Sequence, residues 1–447
     1  MEVKKIKKVT VVGASIGGLV AAAELSNSGF DVTIVEKGKS VGGLYNKVKT
    51  PFGEQELGMH VLYVSEKQFA YLSEIFGENT FNTLSGDQVD VGSCENFGSK
   101  FFNSHYPNVL GHELQDEIIV QIKNSSGKGK HALNAKEEVI NRFGKTAGTE
   151  VVGPILEKLW KKNAELLTPH AINCFFDLRR IVACTKQEAD TLKTDAWLDS
   201  VLANPEQSQP AGEVHGGRIG LTFNKRHGDL SESVSIWAEQ RGIHLQLETE
   251  VSIDGGLHIS NIPAQESCDA CIIALPIHSL APNLTSEIDQ LELSIYYLQT
   301  SDQIGQKFPA YYLLSHSGNL KASRIVNYDS YNQELRTDEF SILAVEVIHE
   351  IGLAPSEQEI VSEVEQLFPD LSIKESYQLS RSVKVCSPTI KNSIILDSIS
   401  RKIEQQFGNK PVYFSGMRTD QGVFFSHHTI GASHEAALEC KQNLPRN

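Results

Sequence analysis

The chain has 447 residues, of which 40% are apolar and 22% charged, the balance of an ordinary globular protein with room for about two to three domains and a large core. A net charge of −15, from 41 basic and 56 acidic residues, argues against nucleic acid as the main partner but leaves open an anionic substrate held in a local arginine pocket. Seven scattered cysteines and no secretory signal point to a reducing cytoplasm, and no stretch approaches the roughly 18 apolar residues of a membrane helix.

In chain order, an apolar strand from Val9 to Val12 runs into the turn Gly13-Ala-Ser-Ile-Gly17-Gly18, which opens a helix over Leu19 to Asn27. A second apolar strand, Val32 to Val35, ends in Glu36. Strand, glycine turn, helix, strand and acid, in that order, form the dinucleotide-binding fingerprint in its confirming context. Gly13 permits the tight turn, the helix N-terminus offers N–H groups to a pyrophosphate, and Glu36 suits ribose hydroxyls. Ser15 stands where a G-x-G-x-x-G turn has its second glycine. Its side chain is small enough to be tolerated, with a hydroxyl able to donate to phosphate.

A second glycine pair, Gly42-Gly43, precedes Leu-Gly58-Met-His60, and apolar spacing predicts a helix over 66–77. Residues 81–130 read as short strands and turns, closing on a polar loop at 124–130. Residues 134–202 read as mostly helical, and the Pro/Gly/Gln-rich stretch Pro205 to Gly217 marks a boundary. A helix over 227–241, an alternating strand from Ile243 to Val251 and a buried strand from Ala270 to Leu275 follow. Strands and one acidic helix, 356–368, fill about 290–380. The end returns to a strand, Pro411 to Gly416, and to a helix opened by Thr429-Ile430-Gly431.

Cofactor-type elements therefore lie at the start, middle and end. The expected fold is α/β: a doubly wound Rossmann-like FAD-binding domain, made of 1–65, 211–285 and 385–447, with an inserted α+β substrate domain made of 66–210 and 286–384. A glycine-helix element at the C-terminus suits a cofactor with a second end to hold, which favours FAD over NAD.

On these residues the chain resembles the flavoproteins of the amine oxidase, protoporphyrinogen oxidase and UDP-galactopyranose mutase group. The resemblance rests on Val-Val-Gly13-Ala-Ser-Ile-Gly17-Gly18, Ile-Val-Glu36, Gly42-Gly43, Leu-Gly58-Met-His60 and Phe-Ser-Gly416-Met-Arg418. It implies FAD as cofactor, held by Gly13, Ser15, Ile16, Gly17, Gly18, Glu36, Lys37, Gly42, Gly43, Leu44, Gly58, Met59, His60, Val251, Gly416, Thr429 and Ile430. It also implies catalytic roles for His60 and Arg418 beside the flavin. The blocks around Arg142-Phe143-Gly144, Pro154 to Trp160, Lys384 to Pro388 and Gly416 to Phe425 look like the mutase branch, found with surface-polysaccharide enzymes. Met417 interrupts glycine and arginine there, and the nucleotide-holding tyrosines of true mutases are not evident.

Three functions stay open. The first is an FAD-dependent oxidoreductase or mutase-like enzyme acting on a sugar or nucleotide sugar. The others are an amine oxidase or desaturase acting on a small molecule, and a flavin-holding scaffold without turnover. Arg179-Arg180 would grip phosphates in the first, against the commoner fate of a salt-bridged helix end. No metal site is expected: Cys268-Asp-Ala-Cys271 has no second ligand pair and His427-His428 no third ligand. The absence of a G-x-S-x-G elbow removes a hydrolase. The sequence gives no oligomeric state.

Overall fold

The computed structural model describes residues 6–58, 61–84, 91–94, 101–102, 104, 106–125, 131–205, 219–223, 230–252, 258–259, 262–263, 268–280, 286–301, 312–331, 340–380 and 382–444. Its first layer is a five-stranded sheet. The strands are β1 (Lys8–Val12), β2 (Asp31–Val35), β3 (His244–Gln246), β4 (Ala270–Ile273) and β5 (Val412–Phe414). Their spatial order is β3-β2-β1-β4-β5, and every pairing is parallel. Parallel strands need crossovers, so both faces are covered and the strands read as continuous apolar runs. Val9, Val11, Val32 and Ile34 face α1 (Ile16–Asn27), α2 (Leu230–Arg241) and α4 (Ser426–Asn443). Val12, Val35 and Ile273 face α3 (Ile390–Phe407) through Ile399, Ile403 and Phe407. This is the doubly wound Rossmann-like layer.

The second layer is an eight-stranded sheet, antiparallel except where 91–94 runs alongside 312–315. At its centre Gln290–Thr300 pairs with Ser341–His349, which pairs in turn with Arg324–Asn327. Alternation divides its side chains: Tyr296, Leu298, Val345 and Val347 pack under the helix Glu357–Leu367. Ile295, Tyr297, Val326 and Ala344 face the helical segment that carries Phe143, Leu156 and Trp160. Functional side chains on that second face therefore point toward the helical insertion.

Several local expectations change. Residues 115–124, read as strand and turn, form a helix with Ile118 and Ile122 one turn apart on its buried face. The strand expected over 243–251 breaks at Glu248, whose φ of 52° lets its amide reach Gly38 and the Thr249 amide reach Glu36. The last helix begins at Ser426, with Phe425 as N-cap, so Thr429 is an interior residue whose hydroxyl donates to the Ser426 carbonyl at 2.9 Å. The 18-residue helix α3 was not anticipated at all. Residues 206–217 of the proposed boundary and 126–130 of the polar loop lie outside the described residues. Among the described residues no helix is long and apolar enough to cross a membrane, and no cluster of metal-ligating side chains is present.

Candidate functional site

The site begins at the glycine turn after β1. Gly13 has φ of 103°, and a Cβ there would press on the Ala274 carbonyl at 3.2 Å. Gly18 lies so close beneath Gly13 that a Cβ would collide with its carbonyl oxygen. Gly17 meets α4 just as closely, since a Cβ would stand 2.7 Å from Ser433 Oγ. These glycines let α1 start hard against β1, with α4 alongside.

Ser15 turns out to be the N-cap of α1. Its hydroxyl accepts from the Gly18 amide at 3.3 Å and donates to the Ala274 carbonyl at 3.1 Å. The replacement of glycine is therefore functional for the fold, because the serine oxygen satisfies one of the amides that a helix start leaves orphaned. The amides of Ile16 and Gly17 have no acceptor within the helix and sit at the positive end of its dipole. Gly42, with φ of 94°, donates its amide to the Ala14 carbonyl at 2.8 Å, and Gly43, also left-handed, closes over Ser15. The two glycine turns thus lie against each other through backbone.

Glu36 follows β2 as expected. Its carboxylate accepts from the Ala14 amide at 2.9 Å and the Gly38 amide at 2.7 Å, and it is half-exposed. Lys37 is exposed and paired with Glu250, and Leu44 is exposed. Val251 is buried among Val12 and Val35, below the Glu36 loop. A helix start whose first amides have no acceptor within the helix, two left-handed glycines and a carboxylate past the second strand fit the adenosine and pyrophosphate of FAD.

The far end is built by β5, α4 and the turn at Gly58. At Gly416 a Cβ would overlap the Leu275 carbonyl, so the chain crosses β4 at a distance that glycine alone allows. Ile430 is fully buried under this crossing. The first turn of α4 carries Ser426 and His427 at its open end. Tyr45, from the second glycine turn, hydrogen-bonds Ser426, and withdrawal from water pushes its hydroxyl pKa up, with Glu56 adding to the rise. Phe425 stacks on His427 at 5.6 Å with rings 6° apart, and His428 Nδ1 accepts from the Phe424 amide at 3.4 Å. Among the residues the sequence reading placed here, Thr429 and Ile430 lie inside the helix, behind this turn. Met59 and His60 lie outside the described residues.

Arg418, expected to act on flavin or substrate, is held elsewhere. Its guanidinium is buried, donating to Asp420 at 2.9 and 2.7 Å and to Asp397 of α3 at 2.8 Å. Its backbone pairs with Val423, closing the loop that leads into α4. Arg179 is likewise bound to Asp177 at 2.8 Å, and buried Arg180 donates to the Asp199 carbonyl at 3.0 Å. Arg179 thus takes the salt-bridged arrangement, while Arg180 is buried against a backbone carbonyl.

Sequence reading missed a cluster beside the Gly58 turn. Tyr297 donates to the Glu56 carbonyl at 2.7 Å and Tyr328 to the Gly58 carbonyl at 2.9 Å. Burial pushes both phenols well up, so they are donors at neutral pH. Gly58 is left-handed, and a Cβ there would strike the carboxylate of Glu346. Glu346 sits directly opposite Arg324 in the sheet and accepts from its Nε at 2.8 Å. The Arg324 guanidinium lies 4.9 Å from the ring of Phe175, which holds a left-handed φ of 67° and meets Phe424 at 6.0 Å. One signal was available: Glu346 is a lone acid inside the apolar run Ile342 to Ile348.

Comparison with known proteins agrees with this architecture. Residues 11–77 match the model of an NAD(P)-binding Rossmann-like domain. Over 68 residues the chain is 37% identical to 4,4'-diaponeurosporene oxygenase of Staphylococcus haemolyticus, a stretch covering 14% of either protein. Across its length the chain resembles the structure of reduced UDP-galactopyranose mutase, with a TM-score of 0.65, 14% identity and coverage of 98% and 96%. It also resembles a putrescine oxidase variant redesigned at its cofactor site, with a TM-score of 0.59, 12% identity and coverage of 98% and 99%. Residues 11–77 thus match a Rossmann-like nucleotide-binding domain, and over its whole length the chain shares the fold of UDP-galactopyranose mutase and putrescine oxidase.

Proposed function

We propose that this chain is an FAD-dependent oxidoreductase that acts on an uncharged, largely apolar small molecule. In this reading 1–65, 211–285 and 385–447 form the FAD-binding domain, 66–210 and 286–384 form the substrate domain, and the protein works in the cytoplasm. Ser15, Ile16, Gly17, Glu36, Gly42 and Gly43 hold the ADP half. The first turn of α4 and the Gly58 turn, continuing to Met59 and His60, hold the flavin end. FAD supplies a two-electron acceptor, and the protein supplies orientation and a shielded cavity. Arg418 serves as a clamp that fixes the loop before α4.

One observation carries the substrate class: the arginines that could hold an anion are bound to carboxylates or a carbonyl, while aromatic rings cluster beside Arg324. Arg324, Arg418 and Arg179 each face an acid, and Phe175, Phe424 and Phe425 lie in edge or stacked contact. Such a wall suits an apolar or aromatic substrate better than a diphosphate. The 4,4'-diaponeurosporene oxygenase is matched over only 68 residues, so it bears little on the substrate.

The second reading, a nucleotide sugar used in surface-polysaccharide synthesis, is favoured by the whole-chain likeness to UDP-galactopyranose mutase. Two assays on the flavin-loaded protein separate the readings. Thermal shift with UDP, CMP and GDP is expected to show no stabilisation. Anaerobic mixing with polyenes and other uncharged apolar compounds is expected to bleach the flavin absorbance in at least one case. Stabilisation by a nucleotide would reverse the order, and a flavin that no candidate substrate perturbs would favour a scaffold without turnover.

A further inference from the structure

We propose that Glu346 sets the charge selectivity of this site by neutralising Arg324, so that the wall beside the Gly58 turn refuses anions and admits uncharged substrates. This rests on the reading of the Gly58 turn as the flavin end. The argument starts from strand register. Arg324 and Glu346 are cross-strand partners on the face of the sheet that looks toward the helical insertion and the Gly58 turn. Directly opposed charges at such a position pair with each other before they reach anything else. The pair is buried: the Glu346 side chain is 1% exposed and the Arg324 side chain 11%.

The surroundings are shaped around the carboxylate. Gly58 leaves out the Cβ that would occupy its place, so the turn before Met59 and His60 can lie against Glu346. Phe175, in a backbone conformation that a bulky residue rarely adopts, lays its ring over the guanidinium. Tyr297 and Tyr328, beside the pair, donate their hydroxyls to the Glu56 and Gly58 carbonyls and hold the turn against it. Arg324 carries a cation beside the Gly58 turn, of the kind that binds phosphate bidentately, and the Glu346 carboxylate cancels it. Glu346 is thus a positioning residue acting through Arg324.

The probe is inorganic pyrophosphate, titrated into the flavin-loaded protein and followed by the flavin difference spectrum and by thermal shift. The parent protein is expected to give no response. Glu346→Gln, which removes the charge and keeps the shape, is expected to bind pyrophosphate about tenfold or more tightly than the parent. Glu346→Asp, which keeps the charge, should stay unresponsive. The combined Arg324→Gln and Glu346→Gln variant should lose the gained binding. A folded, flavin-loaded Glu346→Gln protein that ignores pyrophosphate would overturn the proposal. So would a parent protein that binds pyrophosphate and loses that binding on Arg324→Gln. Where Glu346→Gln does not fold, the parent's response and its dependence on Arg324 decide the matter. A preparation that never takes up FAD condemns the cofactor reading instead, and the thermal-shift arm still reports on the pair.

Discussion

Replacing Ser15 with alanine and with glycine gives two different outcomes if the serine works as a helix cap. Its hydroxyl makes two bonds, one accepted from the Gly18 amide at 3.3 Å and one donated to the Ala274 carbonyl at 3.1 Å. Ser15→Ala removes both while keeping a Cβ in the turn. Loss of an N-cap costs about 1 kcal/mol, and a lost neutral hydrogen bond in a half-buried place up to about 1 more. The expected destabilisation is therefore about 1–2 kcal/mol. Ser15→Gly removes the same bonds, but glycine is itself tolerated at an N-cap within a few tenths of a kcal/mol of serine. On this account glycine should cost less than alanine. Urea denaturation of the FAD-free protein measures the stability, and quenching of FAD fluorescence measures affinity. FAD affinity should change less than about threefold in either variant, because the hydroxyl is occupied by the protein. A Ser15→Ala protein of unchanged stability with FAD binding weakened tenfold or more would refute the cap and give the hydroxyl to the phosphate.

Three further outcomes follow from the same geometry. Gly416→Ala should destabilise the protein by at least about 1–3 kcal/mol in urea, since the new Cβ meets the Leu275 carbonyl and backbone cannot step aside. Arg418→Gln should cost about 3–5 kcal/mol by leaving buried Asp420 without its partner. Arg418→Lys with parental stability and a collapsed turnover rate would instead return the arginine to the chemistry. Burial, with Lys67 beside it, holds the His434 imidazole below its ordinary value, against the opposing pull of Glu24 and Glu435. Its unfolded form then binds the proton more readily, so stability should fall as pH drops below about 6.5, and His434→Gln should flatten that fall. Equal pH slopes in parent and variant would contradict the assignment.

The cofactor half of the molecule was legible because its demands are local. Gly13, Gly18 and Glu36 sit at fixed offsets from two apolar strands, and each offset reflects a backbone contact that other residues cannot make. Ser15 looked like an irregularity because capping depends on the Ala274 carbonyl, which is distant in sequence and brought near only by strand pairing. The start of α4 was misplaced for a related reason: Thr429 has the chemistry of a cap, but the chain turns into helix at Phe425. The surroundings of Arg418 were hidden because nothing in the sequence says that Asp397, on an unanticipated helix, reaches it. The cluster beside the Gly58 turn was the least visible part. Phe175, Arg324, Glu346 and Phe424 come from separate segments, and their meeting is set by sheet register and helix docking rather than by any motif.

The absorption spectrum of the purified protein after incubation with FAD and gel filtration bears most directly on the site assigned to the two glycine turns. Flavin bands should co-elute with the protein in equimolar amount, and Gly18→Val should abolish them while a folded far-ultraviolet spectrum persists. Protein that emerges colourless, or a Gly18→Val protein that retains flavin as well as the parent, would contradict FAD binding at this turn.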